Sequence, residues 1–391
     1  MIDRFIEEKL QYQLTHFPAV TLLGARQTGK TTLALKIASN FPKPTLYLDL
    51  EKPSDAIKLH DPEFFLKQHL DKLVIIDEIQ RMPEITAILR SIIDERKRNG
   101  DKWGQYLLLG SSSQSLLKQT SDSLAGRVAY LEIGGFSSIE IKPESFNDLW
   151  VKGGFPDSFL ALNNLDSFSW RENLIKTYLE REIAILGYKA SSATIGRLWI
   201  MLAHTQGEIL NAAKLGASLG VSIPTVLRYL DILADLFLIN FLRPWHQNHG
   251  KRLVKRPKVY IRDSGIAHCL LNLQTLDDIL AHPIAGGSWE GFVLENIVRV
   301  IGNQSKIWFY RTSAGAEMDL IIETGSKKIG IEVKRSTSPA LTKGGRQSKT
   351  DLNLDFVYIV YPGKDKYLIE NDICVIPINL LLEEISINLL L

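Results

Sequence analysis

Gly24-Ala25-Arg26-Gln27-Thr28-Gly29-Lys30-Thr31 sets two glycines, four residues between them, ahead of a lysine and a hydroxyl residue. This is the pattern of a loop that cradles nucleotide phosphates. Glycine lets successive backbone N–H groups turn inward, and a helix starting at the loop's end adds its positive dipole. Lys30 is placed to meet the β and γ phosphates and the Thr31 hydroxyl to meet Mg²⁺, with Thr32 carrying the loop into the helix. A second set follows the apolar run Leu73-Val74-Ile75-Ile76, which ends in Asp77-Glu78. Asp77 would hold Mg²⁺ through water or Thr31, and Glu78, pointing elsewhere, would polarise the attacking water as general base. An Asp-Glu pair after an apolar strand otherwise reads as a helix cap; a phosphate loop in the same domain favours the chemical reading.

Ser111 closes the run Tyr106-Leu107-Leu108-Leu109-Gly110 and could sense the γ-phosphate or the water, although Ser111-Ser112-Ser113 reads equally as the N-cap of a helix at 114–117. Arg127 is a candidate arginine finger, a role worth about 10³ to 10⁵ in rate, or an exposed structural arginine. Far downstream, Asp319, Glu332 and Lys334 lie on two apolar runs joined at Gly325-Ser326. If that dipeptide centres a hairpin, Asp319 faces Glu332, and the two-residue period puts Lys334 on the same side. Two carboxylates and an ammonium there could bind Mg²⁺ and steady an attacking water, with Glu295 from the preceding helix completing the acidic set. The bland alternative is a cross-strand ion pair.

These residues need a scaffold. Residues 19–23, 45–50, 73–78, 106–110 and 128–133 read as strands, and 32–38 and 83–98 have helical spacing of apolar residues. Strands alternating with helices call for a parallel sheet covered on both faces, the α/β P-loop NTPase arrangement. The extra strand at 45–50, between the loop strand and the Asp77-Glu78 strand, argues for the ATPase branch that uses a catalytic Glu. Residues 211–219, the turn at 220–222 and 224–236 read as helix-turn-helix, with strands at 238–242 and 258–261 as a wing. Lys251, Arg252, Lys255 and Arg256 form the local basic stretch. The second helix offers Thr225, Arg228 and Tyr229 but also Asp231 and Asp235, so nucleic-acid contact competes with partner binding. A helix at 289–301, carrying Glu290 and Glu295, and strands at 307–311, 317–322 and 328–334 form the last α/β part.

With 391 residues the chain is expected to form more than one domain, and a net charge of +2 makes any nucleic-acid footprint local. Cys269 and Cys374 match no metal or redox spacing, so two reduced, buried thiols are expected. No secretory signal or membrane-length apolar run is visible, and a cytoplasmic location is expected.

The phosphate loop through Leu33, together with Asp77-Glu78-Ile79-Gln80-Arg81-Met82-Pro83, Gly110-Ser111-Ser112 and Ser123-Leu124-Ala125-Gly126-Arg127, resembles the bacterial and archaeal AAA-type ATP-binding proteins with a C-terminal domain of formerly unknown function. Leu109, where members often have Thr, departs from the pattern and touches the Ser111 role. Gly153-Gly154-Phe155-Pro156 and Tyr178-Leu179-Glu180-Arg181-Glu182-Ile183 resemble that family's connecting segment. Gly291 through Glu295-Asn296, Tyr310-Arg311 and Glu317-Met318-Asp319 resemble its C-terminal domain, and Asp319 with Glu332-Val333-Lys334 and Glu295 resembles the PD-(D/E)XK nuclease fold. The resemblance implies an ATPase domain at 1–145, a helical lid and winged-helix-like connector at 146–245, and a nuclease-like domain at 246–391. It implies ATP and Mg²⁺ as ligands. Candidate partners are DNA or RNA, a protein, or further copies of the chain, in which Arg127 would act in trans. The alternative is a nucleotide-switched regulatory protein with an inactive nuclease-like domain.

Overall fold

The computed structural model describes residues 2–112, 124–185, 191–245, 254–302, 306–325 and 327–389. Ser113, residues 114–117, Ser123, Lys251, Arg252 and Ser326 lie outside them. Two compact units emerge: residues 1–135 with 234–237, and residues 136–233 with 238–391.

In the first unit the apolar runs become β1 (Ala19–Leu23), β2 (Thr45–Asp49), β3 (Leu73–Asp77), β4 (Tyr106–Gly110) and β5 (Val128–Glu132). All pair in parallel, in the spatial order β2-β3-β4-β1-β5. β1, β3 and β4 are buried along their whole length, which explains why they read as unbroken Val/Ile/Leu runs rather than alternating ones. Leu33, Ala34 and Ile37 of the helix Lys30–Asn40 pack on Val20, Leu22, Ile75 and Leu107. The expectation for the extra strand needs correcting. β2 forms the edge, and the strand separating β1 from β3 is β4. Leu22 pairs with Leu109 and Ile76 with Leu108, so β1, β3 and β4 end level, and Gly24, Glu78 and Ser111 emerge at one rim. That rim, beyond the carboxyl ends of parallel strands, is where α/β sheets bind ligands.

In the second unit the helix Ala212–Leu219 is capped by Asn211, whose side chain accepts from the Lys214 N–H at 3.1 Å, and stops at Gly220 with φ +68°. The next helix, Ile223–Asp235, meets it at 102°. β6 (Ile239–Leu242) and β7 (Lys258–Ile261) then pair antiparallel, Ile239 against Ile261. The domain division expected at 245 therefore falls inside a two-stranded sheet. Arg171, on the helix Asn164–Thr177, also donates to the Gly265 carbonyl at 2.7 Å, joining the middle of the chain to its last part. The remaining strands are β8 (Ile307–Arg311), β9 (Glu317–Thr324), β10 (Lys327–Val333), β11 (Phe356–Tyr361), β12 (Tyr367–Glu370) and β13 (Ile373–Pro377). They form a mixed sheet in the order β12-β13-β11-β10-β9-β8, approached by the helix Ala285–Ile301. Cys269 and Cys374 are free and buried. No single helix among the described residues is long and apolar enough to cross a membrane.

Candidate functional site

The loop after β1 folds back through two left-handed residues, Gln27 at φ +62° and Gly29 at φ +92°. Gly29 is the N-cap of the helix that starts at Lys30, and no side chain caps that helix. Its first-turn N–H groups thus lack a side-chain acceptor, the arrangement that suits an anion. Lys30 is only 5% exposed, and its ammonium donates to the Gly24 and Ala25 carbonyls at 2.9 and 2.8 Å. Burial pulls this lysine down to about 8, with the nearby Glu78 and Asp77 carboxylates opposing the shift. Thr28 donates to the Ala25 carbonyl, and Arg4 donates to the Thr28 carbonyl at 2.8 Å and to that of Gly134 at 2.7 Å. Arg26 reaches Glu51 at 2.9 Å, and Arg81 reaches the same carboxylate oxygen at 2.8 Å.

The end of β3 meets the loop. The Thr31 hydroxyl donates to Asp77 Oδ2 at 2.6 Å, and the Tyr47 hydroxyl donates to the same oxygen at 2.8 Å. Thr31 and Asp77 together offer hard oxygen ligands, the donor chemistry Mg²⁺ takes. Glu78 sits in the left-handed region at φ +54°, which turns its side chain away from that of Asp77. The Ser111 hydroxyl donates to Glu78 Oε2 at 3.0 Å, while the Gln80 amide donates to both Glu78 Oε2 and Ser111 Oγ. Ser111 therefore faces the Glu78 carboxylate. Tyr47 and Arg4 carry no role in the sequence, and Gln80 enters there only within the run Asp77-Glu78-Ile79-Gln80-Arg81-Met82-Pro83; for Tyr47 the available signal is its place two residues before the acidic end of β2.

Arg127 is elsewhere. It immediately precedes β5, its carbonyl accepts from the Ala19 N–H, and its guanidinium grips Asp94 through two bonds of 2.7 and 2.9 Å. Since β1 and β5 run in parallel, Arg127 lies at the amino end of strands whose carboxyl end carries the loop, roughly 17 Å away along five residues. Within one chain it does not join Lys30, Asp77 and Glu78.

In the second unit the hairpin register runs from Lys327 opposite Thr324 to Ile331 opposite Leu320, so Asp319 and Glu332 come next, as the Gly325-centred turn implies. Asp319 Oδ2 accepts from the Val333 N–H at 2.8 Å, and Lys334 bonds Glu332 at 2.6 Å. Burial, then the Glu290 and Glu332 carboxylates, push the Asp319 carboxyl well above the usual range; burial raises Glu332 as well, against the pull of Lys334. Glu295 does not join them. Asn240 and Arg262 hold its carboxylate at 3.0 and 3.1 Å. Five residues along a helix turn a side chain by about 140°, so the glutamate that faces the hairpin is Glu290. Its carboxylate accepts from Lys258 at 2.9 Å and from the Tyr260 hydroxyl at 2.5 Å. No group of three or more His, Cys, Asp or Glu side chains among the described residues is arranged to hold a metal ion. Because Glu295 is 2% exposed and paired with Arg262, Glu295→Ala should destabilise the protein by about 3–5 kcal/mol in urea unfolding, with ATP turnover unchanged at low temperature.

Comparison with known proteins matches three stretches of the chain. Residues 16–142 match the AAA domain family, 143–277 a domain of unknown function (DUF8612), and 285–381 another domain of unknown function (DUF4143). The uncharacterized proteins Rv2008c of Mycobacterium tuberculosis and Mb2031c of Mycobacterium bovis are each 39% identical over 386 residues, covering 98% of this chain and 85% of the relative. The chain belongs to their family. Its first part is an AAA-type, ATP-binding ATPase domain, and its last part is a DUF4143 domain. Among solved structures, the Walker-type ATPase PABY2304 of Pyrococcus abyssi matches at 15% identity and a TM-score of 0.46, over 69% of this chain and 96% of that one.

Proposed function

We propose that this chain hydrolyses ATP with Mg²⁺ at the rim of the first unit, and that its nucleotide state gates the C-terminal, nuclease-like module through the helical and winged-helix-like residues between them. The observation that supports this most is the Thr31–Asp77 bond of 2.6 Å beside a Glu78 carboxylate held at 3.0 Å by Ser111. Lys30 exchanges its bonds to the Gly24 and Ala25 carbonyls for phosphate oxygens, while the backbone of residues 24–32 encloses the phosphate chain. Thr31 and Asp77 would hold Mg²⁺, which would supply charge neutralisation at the transferred phosphoryl group. Glu78 takes the proton of the attacking water, and Ser111 and Gln80 keep its carboxylate aimed. Arg127 serves a neighbouring copy, since it cannot reach its own site.

The second reading is a nucleotide-switched regulator that cuts nothing. Favouring it, the Lys258 ammonium lies among the Glu290, Glu317 and Asp319 carboxylates. The exposed side of the helix Ile223–Asp235 is also mixed, with Ile223, Leu227, Arg228 and Asp231, although Lys255 and Arg256 before β7 are exposed and basic. ATP turnover measured with and without single-stranded DNA, duplex DNA and RNA separates the two. Stimulation by nucleic acid, with a nick lost in Lys334→Ala, supports the nuclease-coupled reading. Turnover indifferent to nucleic acid, with no cleavage in Mg²⁺ or Mn²⁺, supports the regulator.

A further inference from the structure

Lys258 is 3% exposed, and a buried ammonium is unfavourable unless carboxylates surround it. Here they do. Its Nζ lies 2.9 Å from Glu290, 3.1 Å from Glu317 and 4.0 Å from Asp319, over the face of Phe309 at 5.5 Å. These acids come from a helix and from β9, whereas the lysine comes from β7. Tyr260, two residues on and so on the same side of β7, donates to the same Glu290 oxygen. The strand thus presents its donors to the cluster as a set.

The negative charge is not exhausted by this. Glu332, 4% exposed, bonds Lys334 through Oε1, while its Oε2 is buried with no hydrogen-bond partner. A buried carboxylate oxygen without a donor is a strong acceptor for a cation. Four carboxylates with an unsatisfied oxygen are the donor chemistry of Mg²⁺, Mn²⁺ or Ca²⁺. An ammonium 2.9 to 4.0 Å from three of these acids repels a divalent ion placed among them and so opposes its entry.

We infer that Glu290, Glu317, Asp319 and Glu332 form a latent divalent-cation site that the Lys258 ammonium occupies and holds shut. Glu290, Glu317 and Asp319 spread around the lysine while Glu332 bonds Lys334, and no three acids among the described residues converge on one point as a metal requires. This inference deepens the second reading above, giving a structural cause for a nuclease-like module that does not cut, and it does not involve the ATP site.

The test is a titration of the nucleotide-free full chain with Mn²⁺, read by the electron paramagnetic resonance of free Mn²⁺ and by Tm. Without nucleotide, the phosphate loop contributes no phosphate oxygens, so failure here is separable from failure of the ATPase assignment. Wild type should take up no Mn²⁺ saturably and keep its Tm. Lys258→Ala should bind one Mn²⁺ per chain at least about tenfold more tightly than wild type, with Tm rising as Mn²⁺ is added, and Glu332→Gln in that background should abolish both effects. Lys258→Met keeps the volume of the stem and gives the same outcome if the alanine variant folds poorly. A saturable Mn²⁺ site in wild type that Glu332→Gln removes would overturn the inference. So would a folded Lys258→Ala or Lys258→Met protein that takes up no Mn²⁺.

Discussion

Glu78→Gln is expected to lower kcat for ATP hydrolysis by about 10² to 10⁴ while ATP still binds. Glutamine keeps the shape of the side chain and can still meet Ser111 and Gln80, but it cannot take a proton from water. Asp77 is unaffected, since its oxygens are engaged by Thr31, Tyr47 and the Glu78 N–H, a backbone group that the substitution retains. The left-handed backbone at Glu78, φ +54°, costs of order 1–3 kcal/mol in a non-glycine residue and separates adjacent carboxylates into two tasks. Parallel measurements of phosphate release and of ATP affinity check this: unchanged kcat in Glu78→Gln would remove Glu78 from the chemistry.

Lys30→Ala is expected to weaken ATP binding by about 10- to 100-fold or more, the loss of one or two charge-assisted hydrogen bonds. The pH dependence carries the finer signature. Burial places the folded-state value at about 8, below the ordinary lysine value of 10.5. Between those values the unfolded chain holds the proton that the nucleotide-free folded chain has lost. Stability of the nucleotide-free protein should therefore rise with pH across that window. Phosphate oxygens reverse the balance by favouring the charged ammonium. ATP affinity should then fall as pH rises above about 8, by at most roughly tenfold per pH unit, and this slope should vanish in Lys30→Ala. A binding assay with a fluorescent ATP analogue over this range reads both effects.

Contiguity decided what could be read from the sequence. The phosphate loop and the Asp77-Glu78 strand end each lie within a few residues, so strand, turn and helix signals locate them together. The hairpin register was also legible, because a turn at Gly325 and a period of two leave a single pairing for Asp319 and Glu332. Spatial order across the sheet was not: nothing in residues 106–110 marks them as the strand that separates β1 from β3. Helix phase failed for a different reason. Glu290 and Glu295 both suit an acidic site by type, and only packing decides that one faces Lys258 and the other Arg262. Lys258 itself gave no signal, since it reaches the acids from a strand more than thirty residues before Glu290 in the chain. Arg127 shows the limit of a motif without topology, because parallel pairing puts it at the amino end of β5.

Phosphate release from Mg²⁺-ATP by purified wild type and by Lys30→Ala, each with and without Mg²⁺, tests the central claim most directly. The account predicts steady turnover by wild type that requires Mg²⁺ and is absent from Lys30→Ala. Equal turnover by the two proteins would contradict it.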